Sequence, residues 1–365
     1  MNNLGLYIHI PFCRSKCPYC DFFSVRGNDK DYSEYVKVLN NNIKYWSEKI
    51  AKPVDTIYFG GGTPSSLGAD NIFEILSCVK DNFNITKDAE ITLEANPSRL
   101  IPFDYEKVSS LGVNRISLGL QSADENELKT LGRLHSAEDV KNTVKQIRNA
   151  GIDNISLDLM MGIPRQTADS LKKSIDFCVS LDVQHISSYI LKIESGTVFD
   201  KRYDNYDFPD DDETAEQYLF AVDYLAENGF EQYEISNFSK KGFESRHNLK
   251  YWTLEDYLGI GPAAHSFMDG KRFYYDRSFE AFRDNKLVFE SSGGGNDEYI
   301  MLGLRLKKGI DLEECKKALG EDLTESLLKK SAKYIKSGYM ELSNGKISFT
   351  PKGFLVSNTI ISDLI

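Results

Sequence analysis

Apolar and polar residues alternate along residues 4–10 (Leu-Gly-Leu-Tyr-Ile-His-Ile), a period of two that predicts a short strand. Residues 31–50 change to a helical period, with Tyr35, Val38, Leu39, Asn42 and Trp46 near one face. Residues 54–59 predict a second strand that runs into Gly60-Gly61-Gly62-Thr63-Pro64, and a helix over about 69–82 follows. The unit then recurs. Strands are expected at 89–95, 114–119, 153–159 and 184–191, and helices at 103–111, 136–150 and 168–181. Strand and helix alternating at this spacing predict a parallel sheet. Six such units are too few to close the usual eight-unit barrel. The expected fold class is therefore α/β, an open partial (β/α)6 barrel whose gap leaves room for a large substrate.

Beyond the sixth strand the pattern changes. Residues 200–217 carry many carboxylates and predict a solvated loop entering a helix, with Asp212 or Thr214 near its cap. That helix is expected over 213–228, stopping at Gly229. Short strands and loops run to about 290, and Ser291-Ser292-Gly293-Gly294-Gly295 predicts a linker. Helices follow near 297–307, 311–318 and 322–337. A hairpin spans 339–349 around Asn344-Gly345, the favoured two-residue turn. The organisation expected is a partial barrel over 1–200, a barrel-completing segment over 201–290 and a small C-terminal α+β, winged-helix-like domain over 296–365.

Composition narrows the function classes. The chain has 365 residues, enough for a large domain and a smaller one, and its net charge of −11 argues against a general nucleic-acid binder. The winged shape at the C-terminus therefore predicts a packing or partner surface and no DNA reader. No apolar run approaches a membrane span, and the start, Met1-Asn2-Asn3-Leu4, shows no cleavable leader, so a cytoplasmic location is expected.

The candidate chemistry begins at the end of the first strand, where Cys13, Cys17 and Cys20 fall within eight residues. Three thiolates on one loop can hold a cube of iron and sulfur while leaving one iron without a protein ligand. Electron-transfer clusters carry four cysteines instead. Two alternatives stand beside this. The thiols could form a structural zinc site with His9 as fourth ligand, but no second Cys/His hook is visible. Disulfides are disfavoured, because Cys78, Cys178 and Cys315 are isolated within apolar helical patterns.

Active residues of parallel α/β folds gather at the C-terminal strand ends. There the sequence places the glycine run Gly60 to Gly62, then Glu94 in Leu-Glu-Ala-Asn-Pro, whose carboxylate suits a ligand ammonium group. Gln121 in Ser-Leu-Gly-Leu-Gln-Ser, Arg133 in Gly-Arg-Leu-His and Asp158 in Asp-Leu-Met-Met-Gly-Ile-Pro complete the series. Each alone has a structural explanation; together they form one polar rim.

These motifs and the cysteine spacing together resemble the radical S-adenosylmethionine (SAM) superfamily. More narrowly they are similar to the branch of oxygen-independent coproporphyrinogen III oxidases and their relatives, over nearly the whole chain. The resemblance implies that Cys13, Cys17 and Cys20 ligate a 4Fe-4S cluster whose free iron chelates SAM. It implies that Gly61, Gly62 and Thr63 hold the methionine end, that Glu94 contacts SAM, and that Tyr7 and Tyr19 flank it. Gln121, Arg133 and Asp158 match residues that bind a second SAM in the oxidase.

Two departures bear on activity. Where the oxidase usually has a fourth cysteine this chain has Phe22, and only twelve residues precede Cys13 where the oxidase carries a long extension. Both resemble instead the HemW-type heme chaperones, as does His247-Asn248-Leu249-Lys250-Tyr251-Trp252, a His-Asn-x-x-Tyr-Trp motif. Imidazole is a common axial ligand of heme iron, Tyr251 and Trp252 offer flat apolar faces, and Arg246 could meet a propionate. His247 and Asn248 could equally anchor a loop, and His265 in Gly-Pro-Ala-Ala-His is a rival iron ligand. The expected function is a heme chaperone that binds the cluster, SAM and heme, without coproporphyrinogen oxidase activity. Its expected partners are heme-accepting enzymes, respiratory and membrane-associated ones among them, with a homodimer as a further expectation. The alternatives are the oxidase itself and a radical SAM methyltransferase.

Overall fold

The computed structural model describes residues 3–97 and 102–365; Met1 and Asn2 of the expected leaderless start lie outside them. Six parallel strands follow one another across a sheet: β1 (Leu4–Ile10), β2 (Val54–Gly61), β3 (Ile85–Ala95), β4 (Arg115–Gln121), β5 (Asn154–Met161) and β6 (His185–Ile190). Pleating divides each strand between two faces. Leu4, Leu6, Ile8 and Ile10 of β1 are fully buried, and Ile57, Phe59, Ile91, Leu93, Ile116, Leu118, Ile155 and Leu157 continue the same core. Residues in between, such as Tyr7, Tyr58, Glu94, Ser117 and Asp158, point to the opposite face, the lumen. Burying one aliphatic side chain is worth roughly 1.5–3 kcal/mol, so a one-residue slip of a strand would forfeit several at once.

The helices begin where side chains cap them. Asn28, Ser136, Thr167 and Asp210 each close a capping box at the N-terminus of Asp29–Ser47, Ala137–Asn149, Ala168–Ser180 and Asp211–Glu227. The last corrects the sequence expectation: Asp210 is the cap, not Asp212 or Thr214. The acidic stretch is also more than a solvated loop. Between its carboxylates stand Tyr206 and Phe208, which pack with the fully buried Phe199. Hydrophobic burial of those rings outweighs the charge around them.

The sheet extends past the six units. On one side come β8 (Asn237–Ser239), antiparallel to β6, and then β7 (Glu231–Glu234), antiparallel to β8. On the other side β9 (Tyr257–Ile260) lies parallel to β1, followed by antiparallel β10 (His265–Met268), β11 (Lys271–Tyr275) and β12 (Leu287–Ser292). The order is β12-β11-β10-β9-β1-β2-β3-β4-β5-β6-β8-β7, and β12 and β7 stay unpaired to each other, so the barrel is open. Ser291 and Ser292, expected in a linker, instead pair with Arg272 and Lys271.

The C-terminal part has helices Leu312–Leu319 and Glu321–Lys336 and a three-stranded sheet, β13 (Ile310–Asp311), β14 (Met340–Ser343) and β15 (Lys346–Phe349), with the Asn344-Gly345 turn. Two short helices, Pro351–Leu355 and Ser357–Leu364, follow the hairpin. Their apolar residues are too few for a clear helical period, and the sequence pattern does not mark them. The domain is tied to the barrel at β7: Lys307 N donates to Tyr233 O (3.0 Å) and Leu306 bridges Glu234.

Candidate functional site: the cysteine loop and the barrel lumen

The cysteine loop leaves β1 and is closed at its base. Phe12 pairs with Val25, Cys13 N donates to Val25 O (2.9 Å) and Val25 N to Pro11 O (2.7 Å). Phe12 is held in turn by edge contacts with Tyr32 and Tyr35. All three cysteines are half-buried free thiols. Burial raises the Cys20 thiol above its ordinary range, and the nearby Cys17 and Cys13 raise it further. Among the described residues no three His, Cys, Asp or Glu side chains gather as a single-ion metal site. His9, the candidate fourth zinc ligand, has both ring nitrogens engaged, with the Tyr7 hydroxyl (3.1 Å) and the Phe23 carbonyl (3.2 Å).

The glycine run is fastened to this loop. Gly62 N donates to Ile10 O and Thr63 N to Phe12 O, both at 2.8 Å. A Cβ on Gly62 would stand 2.7 Å from the Phe12 carbonyl oxygen, so only glycine allows this approach. Thr63 Oγ1 lies 3.5 Å from Cys13 Sγ and accepts from Asn96 Nδ2 (3.0 Å). Arg133 Nη1 reaches Cys17 Sγ (3.8 Å) and Asn96 Oδ1 (3.4 Å). Its Nε is buried without a partner among the described residues. Burial pulls the Arg133 pKa down, but the opposing influence of Tyr19, Cys17, Asp158 and Cys20 prevails and raises it. Tyr19 packs on Phe199, whose N–H donates to Pro18 O (3.1 Å), so the 198–208 segment buttresses the loop.

The lumen beneath holds two carboxylates. Glu94 accepts from the Tyr58 hydroxyl (2.8 Å) and from Gly61 N (3.3 Å), and burial pushes its pKa up to about 7 against those two donors. Burial also raises Asp158, which Ser117 (3.1 Å) and Ser187 partly offset. Gln121 is buried at the end of β4 with φ of 71°. A Cβ on Gly119 would meet Asn96 Oδ1 at 2.7 Å and Arg133 Nη2 at 2.9 Å, so Gly119 makes room for that group. The structure thus brings Cys13, Cys17, Thr63, Arg133 and Asn96 into one hydrogen-bonded chain, with Glu94, Asp158 and Gln121 below. Asn96 and Tyr58 carry no motif that singles them out in the sequence; their signal is position, two residues after Glu94 and two before Gly60.

The His-Asn-x-x-Tyr-Trp motif is elsewhere. It forms the helix Arg246–Trp252, which His247 fastens to Thr56 of β2 and Glu90 of β3 with its ring stacked on Tyr58. His247 is fully buried; its Nδ1 bonds Thr56 Oγ1 (2.8 Å), its Nε2 bonds the Tyr251 hydroxyl (2.9 Å), and its backbone N–H donates to Glu90 Oε1 (3.0 Å). Burial, with Lys250 and Arg115 nearby, lowers its pKa to about 3. So placed, His247 offers iron no free nitrogen. Lys250 is buried between Asp55 and Glu255, both at 2.9 Å, and Arg246 turns to Asp88 O (2.6 Å). Asn248 and Trp252 are half-buried. Tyr251 alone of the motif lines a cavity of about 680 Å³, which opens between β1, β9, β10 and β11 and is bordered by Phe22 and Phe23 of the cysteine loop.

Comparison with known proteins follows this geometry. Residues 7–178 match the radical SAM superfamily, and residues 297–356 match the HemN C-terminal domain. The curated heme chaperone HemW of Bacillus subtilis is 34% identical over 97% of this chain and 97% of its own length. That of Lactococcus lactis is 33% identical, covering 98% and 96%. That of Escherichia coli is 38% identical over 73% and 72%. The solved coproporphyrinogen III oxidase HemN of Escherichia coli shares the fold, with a TM-score of 0.85 at 21% identity over 100% of this chain and 90% of that one. Likeness over the full length, at a third of all positions, places this chain in the radical SAM superfamily and, within it, in the family of the HemW heme chaperones.

Proposed function

We propose that this chain is a heme chaperone, carrying a 4Fe-4S cluster and SAM at the barrel mouth and taking up heme for delivery to heme-dependent enzymes. The observation that carries the reading is the full-length likeness to curated heme chaperones. The open aromatic cavity beside the cysteine loop supports it.

The residues present fit the cluster and SAM. Three thiols share one anchored loop, and Arg133, whose Nη1 reaches Cys17 Sγ, keeps a buried Nε donor unused among the described residues. When bound, the cluster supplies a free iron that chelates the amino and carboxylate groups of SAM and an electron source for its C5′–S bond. The protein's part is positional. Cys13, Cys17 and Cys20 would hold the irons; Thr63 and Arg133, which reach Cys13 and Cys17, would steady two of the sulfurs. Gly61, Gly62 and Thr63 would present backbone to the methionine end, and Glu94 would accept a hydrogen bond from its iron-bound amino group. Tyr7 and Tyr19 would flank the site, while Gln121, Arg133 and Asp158 would meet a second SAM. Phe22, where the oxidase has a further cysteine, supports transport over decarboxylation.

The test is heme titration of the cluster-reconstituted chain, followed by transfer to an apo-heme enzyme, beside an anaerobic assay with coproporphyrinogen III. Binding and transfer without porphyrinogen turnover are expected. Catalytic conversion of coproporphyrinogen would replace the reading with the oxidase. In Cys17→Ser, iron content and the cluster's visible absorption should fall while the chain stays folded.

A further inference from the structure

We propose that His265, and not His247, is the axial ligand to heme iron, in the aromatic cavity between the cysteine loop and strands β9 to β11. This rests on the heme-chaperone reading above and adds the site to it.

Accessibility gives the first argument. An imidazole must present a bare nitrogen to iron. His247 is wholly enclosed with both nitrogens bonded. The side chain of His265 is 56% exposed and lines the cavity. The second argument is orientation. Ligating histidines are usually steadied by a carboxylate on the other ring nitrogen, which fixes tautomer and direction. Glu290 Oε2 lies 3.6 Å from His265 Nδ1, longer than a hydrogen bond, so the carboxylate is placed to take up that role when the ring turns its Nε2 to a metal. The ring is also stacked on Tyr274, centroids 4.8 Å apart at 22°.

The walls suit a flat macrocycle. The cavity, about 680 Å³, is within the range of small-molecule sites. Tyr251, Tyr257 and Tyr274 line it together with Phe22 and Phe23 of the cysteine loop. Phe22 is 68% exposed, a large apolar ring without cover. Charge at the rim is mixed. Glu290 belongs to His265, Asp276 is the remaining carboxylate, and Arg277 is the cation available to a propionate. Arg277 now contacts Asp21 (3.3 Å), the residue between Cys20 and Phe22. In this arrangement His247 is a positioning residue: it holds the Tyr251 hydroxyl and so sets one wall.

The experiment compares heme with iron-free protoporphyrin IX on the full chain, wild type against His265→Ala, by Soret titration. The variant should lose at least tenfold in heme affinity and shift the Soret maximum, with protoporphyrin affinity changed less than twofold. In His265→Gly, added imidazole should restore the wild-type spectrum. Unchanged heme binding in His265→Ala overturns the assignment, and so does an equal loss for both porphyrins, which would mean mere packing. A wild type that binds no heme defeats the chaperone reading itself, a different result from a wild type that binds and a variant that matches it.

Discussion

Replacing Glu94 by Gln separates the two things this carboxylate does. In the folded chain burial holds its pKa up to about 7, from an ordinary 4.5. The folded state therefore binds the proton more tightly than the unfolded one. Stability from this group is fully present below the unfolded value and is lost as pH rises through the folded one. Every tenfold difference in proton affinity between the two states corresponds to about 1.4 kcal/mol, so the wild type should lose roughly 2–3 kcal/mol at this site between pH 5 and pH 8. Gln cannot ionise, and its carbonyl still accepts from the Tyr58 hydroxyl. Urea unfolding at the two pH values should then show the variant gaining on the wild type by about that amount as pH rises. Glu234, also raised to about 7 by burial, titrates in both proteins and cancels from the difference. SAM binding should move the other way. In the proposed site the ligand's iron-bound amino group donates to ionised Glu94, so wild-type affinity should tighten with pH up to about 7 and flatten beyond, with proton release measurable by calorimetry in two buffers. Gln should bind weakly without that dependence. Parallel stability curves for the two proteins, or SAM affinity unaffected by the substitution, would refute the reasoning.

Two further substitutions test the frame. Gly62→Ala drives a Cβ to 2.7 Å from a backbone carbonyl that side-chain motion cannot relieve; with overpacking at about 1–3 kcal/mol, Tm should fall and reconstituted iron should drop more steeply than helix content by circular dichroism. His247→Ala strands the Thr56 and Tyr251 hydroxyls and opens a buried void, so denaturant unfolding should show a loss of about 3–5 kcal/mol; a loss under about 1 kcal/mol would mean the ring does not anchor the helix to the sheet.

The barrel was legible because each strand carries its own signal. Alternation in Leu4 to Ile10 and the helix at 69–82 needed no distant partner, and the structure has both at those bounds. The cysteines, Glu94 and Asp158 stand out because strand ends are where polar groups collect. Relations across the sequence were not visible. Nothing in Tyr257-Leu-Gly-Ile tells that it pairs with β1, and nothing in His247 tells that Thr56 and Tyr251 occupy it. A histidine's use depends on whether its nitrogens are already taken, which local pattern cannot show. Asn96 is hidden for the same reason: its importance is that Thr63 and Arg133 both reach it. The Tyr206 and Phe208 rings in the acidic stretch were masked by surrounding charge.

Strand β1 has β2 on one side and β9 on the other, and β9 is made roughly 250 residues later. At about 5–20 residues per second a ribosome needs on the order of 10–50 s to cover that distance. Throughout that interval the backbone of Gly5 to Ile8 offers an unpaired hydrogen-bonding edge to any nascent chain nearby. The strand that launches the cysteine loop is thus among the last to be enclosed, and guarding it during synthesis falls to chaperones or to speed of elongation, not to the finished fold.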